Sequence, residues 1–147
     1  MSADDLETWS ALVAVYQSVL HDVVGALEND AGMDSGMFSA LAHLARAEPA
    51  GELPLGTLQE LMHPRYSQPG LSRLVQRMER AGLLERQVAD HDGRAVVVAL
   101  TRRGRTHYER ANAVYNAAVR EHFGAYLSPA ERTRIAHDLQ RVLSRRS

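Results

Sequence analysis

The segment SQPGLSRLVQRMERAGLLER, residues 67–86, combines four arginines with leucines, a valine and a methionine that favour burial. A guanidinium group keeps its positive charge at all physiological pH values and donates paired hydrogen bonds to phosphate or guanine. A glutamine amide forms the corresponding pair with adenine. These side chains therefore suit the binding of a polyanion, provided that they share one face of the element that carries them.

The capping residues of this segment predict a helix of about four turns. Ser67 suits the N-cap, Pro69 is tolerated in the first turn, and Gly82 suits the position after the last turn. At 100° per residue the side chains separate into two faces. The apolar face comprises Leu71, Leu74, Val75 and Met78. The polar face comprises Arg73, Gln76, Arg77 and Arg80. One face is expected to pack and the other to bind.

Three further helices are predicted before this segment. Apolar residues recur every 3.6 positions within residues 1–29, which indicates a long amphipathic helix. Asp34 or Ser35 can N-cap a second helix. Thr57 is expected to cap a short third helix, which Pro64 stops.

A hairpin and two helices are predicted after Gly82. The runs LLERQV and RAVVVAL are rich in β-branched or apolar residues, and Asp92-Gly93 between them is a hairpin turn signal. Thr101 can cap a long helix that continues to about Gly124. The sequence SPAE at 128–131 is a capping box with proline in the first turn of a last helix.

The order of these elements predicts a mainly α protein with a winged helix-turn-helix and a small β-hairpin as its wing. In that arrangement the second helix of the pair enters the major groove of DNA. Ser67 and Ser72 are then placed for phosphate or base contacts, and Gly70 allows the backbone to approach closely. The residues expected to contact DNA are Ser67, Gln68, Gly70, Ser72, Arg73, Arg77 and Arg94.

Two kinds of DNA contact are expected from these residues. Gln68 suits adenine, and Arg73 or Arg77 suits guanine, in the major groove. Arg94 lies beside the predicted hairpin turn, where it can enter a narrow minor groove whose negative potential attracts a guanidinium.

The residues from Thr57 to Gly104 resemble the MarR family of bacterial transcription regulators. The resemblance is carried by SQPGLSRLVQRMERAGLLER, by DHDGRAVVVALT with its Asp92 and Arg94, and by LTRRG. It implies a homodimer, paired through its N- and C-terminal helices, that binds a palindromic operator, typically as a repressor. It also implies a small aromatic or phenolic ligand that releases the DNA.

The resemblance suggests how the chain is organised. Residues 1–147 are expected to form one MarR-like domain, with a DNA-binding lobe at 53–102 and dimerisation helices at 1–29 and 105–147. Aromatic and polar residues on helices expected to meet are the candidates for lining a ligand pocket. They are Trp9, Tyr16, Met37, His43 and Tyr108.

Charge is distributed unevenly along the chain of 147 residues. Residues 1–60 carry a net charge of −9, residues 61–105 of +5 and residues 106–147 of +3. Such asymmetry suits a polyanion that meets one face of the protein. There is no cysteine, which excludes disulfides and thiolate chemistry. The acidic N-terminus and the lack of a long apolar run predict a cytoplasmic protein without a membrane partner.

Three other kinds of function compete with DNA binding. No phosphate-binding loop, nucleophile elbow or metal motif occurs, so the chain is not expected to be an enzyme or to hold a cofactor. A winged-helix adaptor for protein interactions is one alternative, although it leaves the arginine face unexplained. The seven histidines have no ligand spacing, but a metal-responsive regulator is a second alternative if they converge in space.

Overall fold

The computed structural model describes residues 4–47, 49–88 and 95–146, and its helices and strands match the predicted order with one addition. The elements are α1 (Asp5–Asp30), α2 (Ser35–Arg46), β1 (Glu52–Pro54), α3 (Leu55–Met62), α4 (Gln68–Arg80), β2 (Leu84–Val88), β3 (Val96–Leu100), α5 (Arg102–His122), a 3-10 turn (Gly124–Tyr126) and α6 (Pro129–Ser144). The predicted fold class, mainly α with a winged helix-turn-helix, is confirmed.

The chain forms two compact units, one of residues 27–114 and one of residues 1–26 with 115–147. The first unit contains α2, α3, α4 and the sheet, and we call it the winged unit. Its largest fully buried side chains are Leu27, Leu41, Leu44, Leu58, Leu71, Val75, Met78, Leu84 and Val98. Helices α2, α3 and α4 each contribute to this core, which fixes the rotation of each helix about its own axis.

The ends of α2 and α4 follow the predicted capping chemistry. Asp34 caps α2, because its Oδ1 accepts hydrogen bonds from the amides of Gly36 at 2.9 Å and Met37 at 3.1 Å. The Ser67 hydroxyl accepts from the Gly70 amide at 3.2 Å at the start of α4. Gly82 has a φ of +74°, the left-handed conformation that ends a helix.

The predicted N-cap of α3 is wrong. Thr57 lies inside α3 and does not cap it, because the helix starts two residues earlier with Pro54 at the N-cap position. Pro54 has no side-chain acceptor, so the first turn of α3 has no side-chain cap.

The predicted two-stranded hairpin is a three-stranded antiparallel sheet in the order β1-β3-β2. The added strand is three residues long and pairs Leu53 with Val98. Sequence gives little signal for so short a strand, because its pairing depends on a tertiary contact.

Helix α5 begins against the backbone of the segment that leaves α4. The Thr101 hydroxyl donates to the Gly82 carbonyl oxygen at 2.6 Å and accepts from the Gly104 amide at 2.9 Å. A methyl group at Gly104 would overlap the carbonyl oxygen of Leu83, so only glycine allows this approach. Thr101 therefore both caps α5, as predicted, and ties it to the end of α4.

The second unit exposes apolar side chains on the first and last helices. Trp9 is 60% exposed and Leu6 is 70% exposed on α1, while Val142 is 54% exposed on α6. Helix α6 begins with the predicted capping box, in which Ser128 and Glu131 satisfy each other's backbone amides. The apolar faces are therefore on well-formed helices and not on frayed ends.

Among the described helices, α1 is long and apolar enough to cross a bilayer by length and composition alone. Its most apolar 18-residue window has a mean hydropathy of 1.4. A helix whose apolar face is covered by protein has the same composition, so hydropathy does not distinguish the two cases.

Candidate nucleic-acid interface

The two faces of α4 separate as the sequence predicts. Leu71, Leu74, Val75 and Met78 are buried, and Met78 is completely inaccessible to solvent. The side chains of Arg73, Gln76, Arg77 and Arg80 are exposed. Since burial of the apolar face fixes the helix, three guanidinium groups are presented to solvent on one side of α4.

The first turn of α4 contains the remaining candidate residues of this helix. Gln68 is its first residue and is exposed, whereas Ser72 is half-buried. The Ser67 hydroxyl oxygen is used as the cap acceptor, but its proton stays available for donation. A methyl group at Gly70 would lie 3.1 Å from Ser67 Oγ, so the glycine keeps space beside the cap.

Arg77 has an acidic neighbour that sequence reasoning did not identify. Its Nη2 lies 3.9 Å from Oδ1 of Asp34, the residue that caps α2. Both side chains are at least half exposed, so the pair is weak and screened by salt. Arg77 is thus placed near the start of α2 but remains free to exchange this partner for another.

Arg65, in the turn between α3 and α4, was not among the residues singled out from the sequence. Its Nη2 donates to Ser35 Oγ at 2.6 Å and its Nη1 to Ser39 Oγ at 3.4 Å. Its guanidinium carbon lies 5.6 Å from the centre of the Tyr66 ring. The sequence offers one signal for this contact, the spacing of two serines four residues apart on one helix. It does not identify Arg65 as their partner, because Arg65 is about 30 positions away.

Glu79 and Arg86 connect the last turn of α4 with β2. Arg86 donates from its backbone amide at 3.1 Å and from Nε at 3.2 Å to Glu79 Oε2, and from Nη2 at 2.9 Å to Oε1. Hydrogen bonds from the Arg86 side chain, and then from its amide, lower the pKa of the Glu79 carboxyl. This pair holds β2 against α4. The Glu79 carboxylate also neutralises the positive charge of Arg86.

Two of the residues quoted from the predicted wing, Asp92 and Arg94, lie outside the described residues. The strands on either side are paired from Leu84 with Leu100 to Val88 with Val96. The expected minor-groove role of Arg94 therefore stays a prediction.

The candidate ligand residues fall in both compact units. Trp9 and Tyr16 line a shallow apolar groove on α1 together with Leu12 and Val13. Both aromatic side chains are more than half exposed.

The other three candidates, Met37, His43 and Tyr108, belong to the winged unit, and all three are half-buried. Tyr108 of α5 stacks on Phe38 with 5.8 Å between ring centres, which joins α5 to α2. Burial, and then the charge of Arg46, lowers the pKa of His43 and favours its neutral form.

Histidines do not gather into a metal site in the part of the chain that is described. No group of three or more His, Asp or Glu side chains there is placed to hold a metal ion. His122 Nδ1 lies 3.5 Å from Asp22 Oδ2 in the second unit, which is a single pair without further ligands. The metal-responsive alternative gains no support from these residues.

Comparison with known proteins agrees with this architecture. Residues 31–95, which include α2, α3, α4 and β2, match the model of the MarR family. This part of the chain is similar to the MarR family. The solved structures that resemble this chain include MarR family transcriptional regulators.

Solved MarR family structures resemble the whole chain. AbsC from Streptomyces coelicolor is 23% identical with a TM-score of 0.82, and the match covers 99% of this chain and 97% of AbsC. Sco3205 from the same organism, solved in complex with DNA, is 22% identical with a TM-score of 0.83, covering 100% and 94%.

A third relative, Bordetella bronchiseptica BpsR, is 22% identical with a TM-score of 0.75, covering 92% and 97%. Its DNA binding is regulated by 6-hydroxynicotinic acid. No functionally curated protein matches this chain by sequence.

We expect Glu79→Gln to lower the free energy of unfolding by about 0.5–1 kcal/mol at pH 7, the range for a partly exposed pair. The folded-state pKa of Glu79 is below its unfolded value, so the stabilisation is present above the unfolded pKa near 4.5. It is lost as the pH falls through the folded pKa. Urea unfolding at pH 7 and at pH 3.5 measures the difference in free energy of unfolding between wild type and variant at each pH.

Glu85→Gln is the matched control for this measurement, because among the described residues Glu85 accepts a hydrogen bond from the neutral Gln87 side chain at 2.8 Å and has no ion pair. The control is expected to change stability little at either pH. An equal loss for Glu79→Gln at both pH values would contradict the assignment of this carboxylate as a charged partner of Arg86.

Proposed function

We propose that this protein is a member of the MarR family, a sequence-specific repressor that binds a palindromic operator as a homodimer and is released by a small aromatic or phenolic ligand. The observation that carries the proposal is the exposed arginine and glutamine face of α4, opposite a fully buried apolar face. A winged-helix adaptor would have no use for these guanidinium groups. We call α4 the recognition helix.

The recognition helix suits the major groove by its length and its polar side chains. Arg73 and Arg77 are assigned to guanine, and Gln68 to adenine, since these pairs have matching donors and acceptors. Ser67 and Ser72 are assigned to phosphate, with Gly70 allowing close approach. Arg94 is assigned to the minor groove beside the half-site. Residues 53–102 form the DNA-binding lobe in this proposal.

The homodimer is supported by the apolar faces of α1 and α6. Exposed apolar patches of this kind are unfavourable in water and typically mark an interface. Residues 1–29 and 105–147 are assigned to this interface, and a two-fold dimer would present two recognition helices to a two-fold operator. Two helices fit one side of B-DNA when they are about 34 Å apart. A cytoplasmic location follows from this function.

The ligand response is proposed as a shift between dimer geometries. A ligand that favours a spacing other than the DNA-bound one needs about 1.4 kcal/mol of differential affinity to weaken DNA binding tenfold. The candidate lining is Trp9, Tyr16, Met37, His43 and Tyr108. BpsR supports an aromatic acid as the first probe.

DNA recognition is tested with duplexes selected from a random library by the wild-type protein. Arg73→Ala and Arg77→Ala are each expected to cost about 1–3 kcal/mol on the selected site and much less on random DNA. Arg94→Ala is expected to weaken both duplexes and to lower the salt slope by about 1. Fluorescence anisotropy across salt concentrations measures these effects.

Arg80→Ala, in the last turn of the same helix, is the matched control and is expected to leave the preference for the selected site unchanged. Wild-type binding that does not weaken as salt rises would reject DNA binding and favour an adaptor.

The dimer is tested by light scattering at micromolar concentration. We expect twice the chain mass of 16.3 kDa, and partial or complete dissociation for Val142→Glu, because a buried unpaired carboxylate costs several kcal/mol. Leu61→Glu on α3 places the same charge at an exposed leucine outside the proposed interface and should not dissociate the dimer. A wild-type protein of monomer mass would exclude the proposed interface.

The ligand site is tested by calorimetric titration with 6-hydroxynicotinic acid and simple phenols. Tyr16→Ala is expected to weaken binding about tenfold or more through lost aromatic contact. Tyr126→Ala removes a tyrosine of the 3-10 turn, which is 80% exposed against 62% for Tyr16, and serves as the control. Equal binding by wild type and Tyr16→Ala would remove Tyr16 from the pocket.

A further inference from the structure

We propose that Arg65, held by Ser35 and Ser39 of α2, is a phosphate contact outside the recognition helix. The inference rests on the proposed DNA-binding function and adds a contact from the turn that precedes α4. The phosphate belongs to the DNA backbone beside the half-site, so Arg65 would strengthen binding to any duplex without reading its sequence.

The partners of Arg65 are neutral, and this distinguishes it from Arg86. Hydroxyl groups orient a guanidinium without cancelling its charge, whereas the Glu79 carboxylate neutralises Arg86. Among the described residues, Arg65 forms no ion pair. The carboxylate nearest to its serines along the chain is Asp34, which caps α2 and lies beside Arg77.

The Arg65 side chain is oriented before any ligand arrives. Ser35 and Ser39 are half-buried and lie one turn apart on α2, so they fix two of the five guanidinium N–H directions and leave the others available. The next residue, Tyr66, is seated over the start of α2, where a methyl group on Gly36 would overlap its hydroxyl. An oriented side chain loses less entropy on binding than a mobile one.

The position of Arg65 in the fold supports phosphate as its ligand. It precedes Ser67, the N-cap of the recognition helix, by two residues. In a helix-turn-helix the N-terminal residues of the second helix reach the bases. The residues just before them therefore meet the sugar-phosphate backbone at the edge of the groove. The first amides and the positive end of the helix dipole add to the attraction at this edge.

The test uses the full-length protein and measures binding to the selected duplex and to random duplex from 0.05 to 0.3 M salt. Arg65→Gln removes the charge and keeps a hydrogen-bond donor for the serines. The salt slope is the change in the logarithm of the binding constant with the logarithm of the salt concentration, and one phosphate contact contributes about 0.9 to it. Between 1 M and 0.1 M salt, one such contact therefore raises the affinity roughly eightfold. We expect losses of about this size on both duplexes.

The Ser35→Ala/Ser39→Ala double variant separates charge from orientation. It keeps the arginine, so we expect a two- to tenfold weaker affinity, about what ordering one long side chain is worth, with an unchanged salt slope. Arg46→Gln on α2 removes the same charge outside the proposed DNA-binding lobe and dimer interface, and should change neither quantity. Circular dichroism of each variant confirms that the fold is retained.

Two results would overturn the inference. If the Arg65→Gln protein has wild-type affinity and salt slope, Arg65 makes no phosphate contact. If affinity is lost on the selected duplex alone, Arg65 reads a base and does not contact the backbone. Failure of the proposed function looks different, because then the wild-type protein itself shows no salt-dependent binding to either duplex.

Discussion

Burial of one face of α4 is the constraint on which the rest of the winged unit depends. Leu71, Val75 and Met78 occupy the core with side chains from α2, α3 and the sheet, and their burial fixes the rotation of the helix. Each such side chain stabilises the fold by about 1.5–3 kcal/mol when fully buried. The exposed arginines opposite contribute little to folding, so their arrangement on one face is a consequence of packing and is available for binding.

Sequence periodicity and capping chemistry predict the parts of the fold that depend on local interactions. Ser67, Thr101 and Ser128 cap helices as expected, because a cap bond joins residues only a few positions apart. The third strand was missed since its three residues pair only with a strand far along the chain. Thr57 was misplaced because a proline at the N-cap leaves no side-chain cap to recognise.

The part of the candidate site that depends on the pattern within α4 was predictable from the sequence, and the contacts from α2 were not. The amphipathic pattern of α4 identifies its solvent face, and the burial of the opposite face agrees with that assignment. The roles of individual side chains at that face remain predictions. Two neighbours of this face, Asp34 beside Arg77 and the serines beside Arg65, belong to α2 and were not anticipated. No spacing rule within one helix can reveal a contact between the start of α2 and residues that follow it only after β1 and α3.

Arginines in this chain differ by their partners, and the partner indicates what each charge can do. Arg86 is matched to a carboxylate by three hydrogen bonds, and a DNA phosphate would have to displace that carboxylate. Arg132 donates to the carbonyl oxygens of Gly124 and Leu127 at 2.8 Å, and so closes the turn before α6. Arg65 is oriented by neutral hydroxyl groups, which leave its positive charge available for a hydrogen bond to phosphate. Since all 17 basic side chains other than histidine are arginines, residue type alone cannot separate these roles. The geometry of the partners can.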